Sequence, residues 1–226
     1  MEPEHIRIIL ALVMLGCAAY SDIRYRQVRS IVWLGFIVLG GALVVFSADT
    51  GTELLNTGIS MIVVPVALLV WRFGMFGGAD AMAVIALSVL APGASITGGA
   101  ITPFSTLLNA LAMSGVMMFC NYMRNYIISR RTDLFAGFDE TIPRKRIAML
   151  IGKKARNPRF AFPMEYESPT GKKLYLKIQH AERAEYATKP DSWVSLGTPW
   201  IILILGGFLV QLFYGDLLFS LMNTLS

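Results

Sequence analysis

Two aspartates stand out for where they lie. Asp22 occurs in "AAYSDIRYRQV", at the end of an apolar run, and Asp80 in "FGGADAM", between two apolar runs. A carboxylate at the edge of membrane-like sequence is costly to bury and points to function when it has a partner. Taken singly, Asp22 among arginines reads as an ordinary solvated or capping residue; the pair carries the functional reading. Two close carboxylates share one proton, since both cannot comfortably ionise side by side. The ionised one can take a proton from water while the neutral one hydrogen-bonds a peptide carbonyl. That is amide hydrolysis with no metal and no cofactor. Other chemistries lack their residues: the only histidines are His5 and His180, no serine sits in a Gly-x-Ser-x-Gly elbow, and no Walker-type phosphate loop occurs. Cys17 and Cys120 form no CxxC pair, and in apolar runs they are expected to act as small buried hydrophobes.

The surrounding elements must bring these aspartates, 58 residues apart, to one place. Of 226 residues 55% are hydrophobic and 15% charged, with a clearly positive mean hydropathy. A soluble domain is nearer half apolar and a quarter charged, so the composition indicates a multi-pass membrane protein. The apolar blocks predict six spans: Ile6–Tyr20, Ile31–Ala48, Thr57–Phe76, Ala79–Ala91 with a possible extension to Ile96, Ala100–Ile127 and Pro199–Tyr214. The first and fourth are short beside the roughly 20 residues a spanning helix wants. "SADTGTELLN", "LAPGASITGG" and the polar stretch 130–198 read as the breaks between blocks. Asp49 and Glu53 fall in the first of these.

Charge then orients the spans. With both termini outside, the outer segments hold no Lys or Arg, and Arg7 sits at the outer edge of the first span. The other 19 basic residues fall at inner ends or in the polar domain. Asp22 and Asp80 then share the cytoplasmic side. The net charge of +5 is accounted for by topology and calls for no nucleic acid. "MEPEH" is acidic where a signal peptide needs a positive region, which favours a retained first span.

The expected architecture is an all-α polytopic membrane protein of six transmembrane helices with a small cytoplasmic α+β domain between helices five and six. Residues 1–129 carry helices one to five and the dyad, 130–198 the polar domain, and 199–226 helix six. Within 130–192 stand 14 Lys/Arg and 8 Asp/Glu. "TIPRKRIAMLIGKK" reads as a short basic amphipathic helix, for an anionic lipid surface or for solvent. Residues 159–186 read as a hairpin turning at Pro169–Gly171.

At the aspartates the chain resembles the type IV prepilin peptidases, membrane aspartic proteases of the Gly-x-Gly-Asp type. In that family the first catalytic Asp is followed by basic residues and a Val or Ile, as in "SDIRYRQV", and the second follows a glycine motif, here "GGAD". The resemblance places Asp22 and Asp80 as the catalytic pair and Gly77 as the first motif glycine, with Gly78 beside it. Ala79 departs from the pattern, standing where the second motif glycine belongs. Bacterial members often carry a cysteine zinc cluster, which two membrane cysteines cannot form. The polar domain before the last span resembles archaeal preflagellin peptidases instead. Presenilin-like proteases share the glycine motif but add a Pro-Ala-Leu motif that is absent here.

The resemblance implies an endopeptidase of the plasma membrane that removes the basic leader from preflagellin or prepilin-like proteins at the cytoplasmic face. Its partners would be that substrate and the lipid bilayer. Asp139, Glu140, Glu165, Glu167, Glu182 and Glu185 are the candidates to receive leader Lys and Arg, with Glu165 and Glu167 on one strand face. The alternative is a small proton- or cation-coupled transporter using Asp22 and Asp80, with Asn109, Asn121 and Asn125 as the further polar groups in its spans.

Overall fold

The computed structural model describes residues 3–93, 102–169, 171–176, 184–195 and 197–217. It is 64% helical with small sheets. Its elements are α1 (Pro3–Tyr25), α2 (Ser30–Val45), α3 (Thr50–Ser60), α4 (Val63–Arg72), α5 (Gly78–Leu90), α6 (Thr102–Ser129) and α7 (Ile142–Ile151). Strands β1 (Gly152–Ala155), β2 (Glu165–Ser168), β3 (Gly171–Leu174) and β4 (Ser192–Ser195) follow, then α8 (Trp200–Tyr214). They form two compact units. One runs to Met113 and resumes at Pro199; the other is Ser114–Thr198.

In the first unit, α5 packs against α1, α2, α3, α4 and α8. Nine of its 13 residues are buried, so it is enclosed nearly all round. Small residues make that possible: Ala81, Ala83, Ala86 and Ser88 let neighbouring helices approach closely. Gly40 of α2 lies against the α5 backbone, where a Cβ would come 2.9 Å from Leu90 Cα. Helix α1 buries Arg7, Ala11, Met14, Leu15 and Ala18, the stripe expected of helical periodicity, and exposes Ile9, Val13 and Ile23.

Among the described residues three helices are long and apolar enough to cross a membrane: Glu4–Tyr25, Thr50–Arg72 and Thr102–Ser129. The other three segments expected to span form shorter apolar helices, Ser30–Val45, Gly78–Leu90 and Trp200–Tyr214. At 1.5 Å per residue these rise only ~20–24 Å, against about 30 Å of hydrocarbon. Helix α5 stops at Leu90; the stretch through which it was expected to extend, from position 94, lies outside the described residues.

The third segment corrects the expected boundaries. Helix begins at Thr50, not Thr57, because Asp49 caps it by accepting the Thr52 N–H at 3.1 Å. Glu53 therefore belongs to a helix rather than a loop. The rod is interrupted at Met61–Ile62, four residues before Pro65, which lacks an N–H and crowds the carbonyl one turn back. The Met61 carbonyl instead accepts from Val64 N–H at 3.0 Å. Cys17 and Cys120 are both free and exposed, against the expectation of burial.

The second unit starts well before the polar residues do. Asn121 and Asn125, on the C-terminal part of α6, donate to the carbonyls of Met149, Leu150 and Gly152, which close the end of α7. "GKK", expected to continue that helix, is strand β1, paired antiparallel with β4 from Gly152↔Ser195 to Ala155↔Ser192. The hairpin forms as β2 and β3, paired from Glu165↔Leu174 to Ser168↔Gly171. Trp193 anchors the core of this unit, stacked on Phe135 at 4.6 Å with its indole N–H on the Leu134 carbonyl at 3.0 Å.

Candidate functional site

Asp22 lies in the last turn of α1. That helix is closed by Arg26, whose left-handed backbone (φ 54°) directs its N–H to the Asp22 carbonyl at 2.9 Å. Ser21 Oγ then donates to the Gln27 carbonyl at 2.7 Å, holding the exit of the chain. The Asp22 side is therefore set by a helix end, with its residue half-buried.

Asp80 is placed by three successive devices. The first ends α4: Gly74 (φ 79°) donates its N–H to the Trp71 carbonyl at 2.8 Å, and Met75 donates to Val70 at 3.1 Å. This paired closure requires a left-handed residue, which glycine supplies without strain. Next, Phe76 is buried and meets the Trp200 ring edge-on at 4.9 Å, fixing the chain just ahead of the glycines. Last, α5 opens with Gly77 as N-cap and Asp80 at its third position. The Asp80 carboxylate reaches back to accept the Gly77 N–H at 2.8 Å, the half of a capping box that needs no N-cap side chain.

These glycines do not all serve one purpose. Gly77 has ordinary extended dihedrals, and a Cβ there would stand 3.4 Å from Asp80 Oδ2. Gly78 and Ala79 are the first two residues of α5, so position 79 is helical. Alanine suits that conformation better than glycine does. The departure from the Gly-x-Gly-Asp pattern thus imposes no backbone penalty.

Asp22 at the end of α1 and Asp80 at the start of α5 stand on two helices that are in contact. Asp80 is buried while Asp22 is partly open. Among the described residues no cluster of three His, Cys, Asp or Glu side chains forms a metal-binding group.

Neither a protein-family model nor a curated protein sequence matches the chain. The resemblance to prepilin peptidases rests on the residues around the aspartates and on the arrangement of apolar segments.

The carboxylates of the second unit divide into two kinds. Glu140 accepts the Leu174 N–H at 2.7 Å and pairs with Arg144 at 2.7 Å, with its side chain 6% exposed. Glu165 accepts the Trp193 N–H at 2.9 Å and lies 3.5 Å from Lys172, with its side chain 7% exposed. Both are committed to holding β2, β3 and β4 in register, so their oxygens are not open to a leader. Asp139 and Glu167 are open to solvent; Asp139 lies 3.9 Å from Lys173 and Glu167 is 2.9 Å from Lys189. Glu185 is exposed, and Glu182 lies outside the described residues.

Sequence reasoning passed over Gly74, Phe76 and Trp200. Gly74 alone carried a legible signal, a glycine just past an apolar helix. The other two depend on a contact that no local pattern encodes.

Proposed function

We propose that this chain is a membrane aspartic endopeptidase that removes basic leader peptides from preflagellin or type IV prepilin-like proteins at the cytoplasmic face. The observation that carries the reading is that Asp22 ends α1 and Asp80 begins α5, two helices in contact. In the proposed reaction one carboxylate takes a proton from water as the water oxygen attacks the scissile carbonyl carbon. The other carboxyl hydrogen-bonds the carbonyl oxygen, and a proton passes to the leaving amine as the C–N bond breaks. The proposal includes six membrane segments, the three shorter ones crossing where the bilayer thins around the site. Of the second unit, Asp139, Glu167 and Glu185 are the groups suited to basic leader residues.

The transporter reading is disfavoured by how the asparagines are used. Asn109 donates to the Gly215 carbonyl at 2.9 Å and accepts the Leu217 N–H at 2.9 Å, while Asn121 and Asn125 serve the end of α7. Their polarity is explained by backbone satisfaction, with no pathway required. The test is incubation of the purified protein with a leader-bearing prepilin-like substrate, followed by mass determination. A single product shortened by the leader is expected; an unchanged substrate mass for both substrate classes would sink the proposal.

A further inference from the structure

A cavity of about 500 Å³ opens between the end of α1 and the start of α2. Its lining is mostly apolar, with Cys17, Ala18, Val28 and Val32, and also carries Ser21, Tyr25, Gln27 and Arg29. This volume falls within the range of small-molecule sites. Asp22 is not among its lining residues, although Ala18, Ser21 and Tyr25 are its neighbours on α1.

From the lining we infer that this cavity binds an anionic phospholipid. Arg29 receives the headgroup phosphate, and the upper part of an acyl chain rests on Ala18, Val28 and Val32. Three observations favour that occupant. First, α1 is long and apolar enough to cross a bilayer, so the connection after Tyr25 stands at the membrane–water boundary whichever way the chain is oriented. Second, the lining itself carries a cation and no carboxylate: Arg29 has no ion-pair partner among the described residues. Basic pockets between membrane helices suit anionic headgroups, and a guanidinium matches phosphate with two parallel donors. Third, the apolar lining gives a free phosphate nothing to bind and gives a lipid a place for its chain. A basic leader peptide meets a like charge at Arg29. The inference is independent of the protease reading.

Cys17 is a reporter built into the wall. The full chain carrying Cys120→Ser is reconstituted in nanodiscs of phosphatidylcholine alone or with phosphatidylglycerol, and Cys17 alkylation by a small maleimide is timed. Anionic lipid should slow alkylation roughly fivefold, the scale of one basic side chain at an anionic surface. Arg29→Gln should abolish most of that difference while leaving the rate in phosphatidylcholine unchanged. Val32→Trp, which fills the cavity, should slow alkylation in both bilayers and erase the lipid effect. Native mass spectrometry should show phosphatidylglycerol retained by the unsubstituted chain and lost from Arg29→Gln. Equal rates in the two bilayers, or a lipid effect that survives Arg29→Gln, would overturn the inference. So would equal protection in phosphatidylcholine by free glycerol phosphate, which makes this a phosphate site, or by a leader peptide, which makes it a substrate groove.

Discussion

Arg7 of α1, only 5% exposed, meets the Glu53 carboxylate of α3 at 2.9 Å. Its other terminal nitrogen donates to the Leu90 carbonyl at 3.0 Å, at the C-terminal end of α5. One side chain therefore ties three helices together and satisfies a carbonyl that the end of α5 leaves orphaned. Removing one member of a buried pair leaves a charge without compensation. Glu53→Gln, which leaves the buried Arg7 charge uncompensated, should lower stability by about 3–5 kcal/mol; Arg7→Met should also lower it, leaving the partly exposed Glu53 unpaired and the Leu90 carbonyl without its donor. The double variant should recover part of the loss, measured by thermal unfolding in detergent. Strictly additive losses would show that the pair is not coupled.

Asp22→Asn and Asp80→Asn should each cut cleavage of a leader-bearing substrate by at least ~10²–10⁴-fold while unfolding temperatures stay near that of the parent. Product mass gives the activity and thermal unfolding the folded fraction. EDTA should leave the rate unchanged. Near-parental turnover in either variant would remove that aspartate from the reaction. Lost ion flux in the variants, with no cleavage by the parent, would favour the transporter.

The glycines on the way to Asp80 should respond differently to substitution. Gly74→Ala forces an alanine into φ 79° and should cost about 1–2 kcal/mol. Ala79→Gly installs a Gly-x-Gly-Asp sequence inside a helical turn and should cost about 0.5–1 kcal/mol. Cleavage should fall with Gly74→Ala, which shifts the approach to Asp80, and should not rise with Ala79→Gly. A gain of activity in the latter would mean that position 79 needs glycine after all.

Glu167 and Lys189 provide a titration test. The hydrogen bond and charge of Lys189 hold the Glu167 carboxyl below its ordinary value, and Glu167 in turn holds Lys189 above its own. The depressed carboxyl contributes at pH above its unfolded pKa and loses that contribution as pH falls through the folded one. The raised ammonium contributes below its unfolded pKa and loses it as pH rises through the folded one. The pair should thus be intact from weakly acidic to weakly alkaline pH. Carboxyl NMR of Glu167 should show its midpoint rise in Lys189→Met; an unmoved midpoint would mean the pair does not persist in solution.

What the sequence made legible was whatever a local pattern encodes. The apolar blocks, the breaks at glycine and proline, the hairpin after Pro169 and the two aspartates could all be found without a structure. Thr50–Asn56 could not, because a polar "TGTELLN" looks like loop until Asp49 is seen to cap it. "GKK" read as helix because its strand character comes only from pairing with β4, 40 residues away. Glu140 and Glu165 looked available for a substrate because nothing local reveals the backbone N–H groups of Leu174 and Trp193 that occupy them. Likewise, length along the chain does not tell that a helix such as α5 is enclosed by other helices.

The contact between Phe76 and Trp200 also bears on biosynthesis. Phe76 and the glycines leave the ribosome early, and the ring that wedges Phe76 emerges only after the whole second unit has been made. N-terminal parts of a chain fold first during translation, so α1 and α5 meet while the approach to Asp80 still lacks its anchor. The approach to Asp80 therefore acquires its anchor late, once α8 has joined the helices around α5. A nascent chain stalled before Trp200 would carry both aspartates without that anchor, so under the proposed function hydrolysis awaits the complete chain.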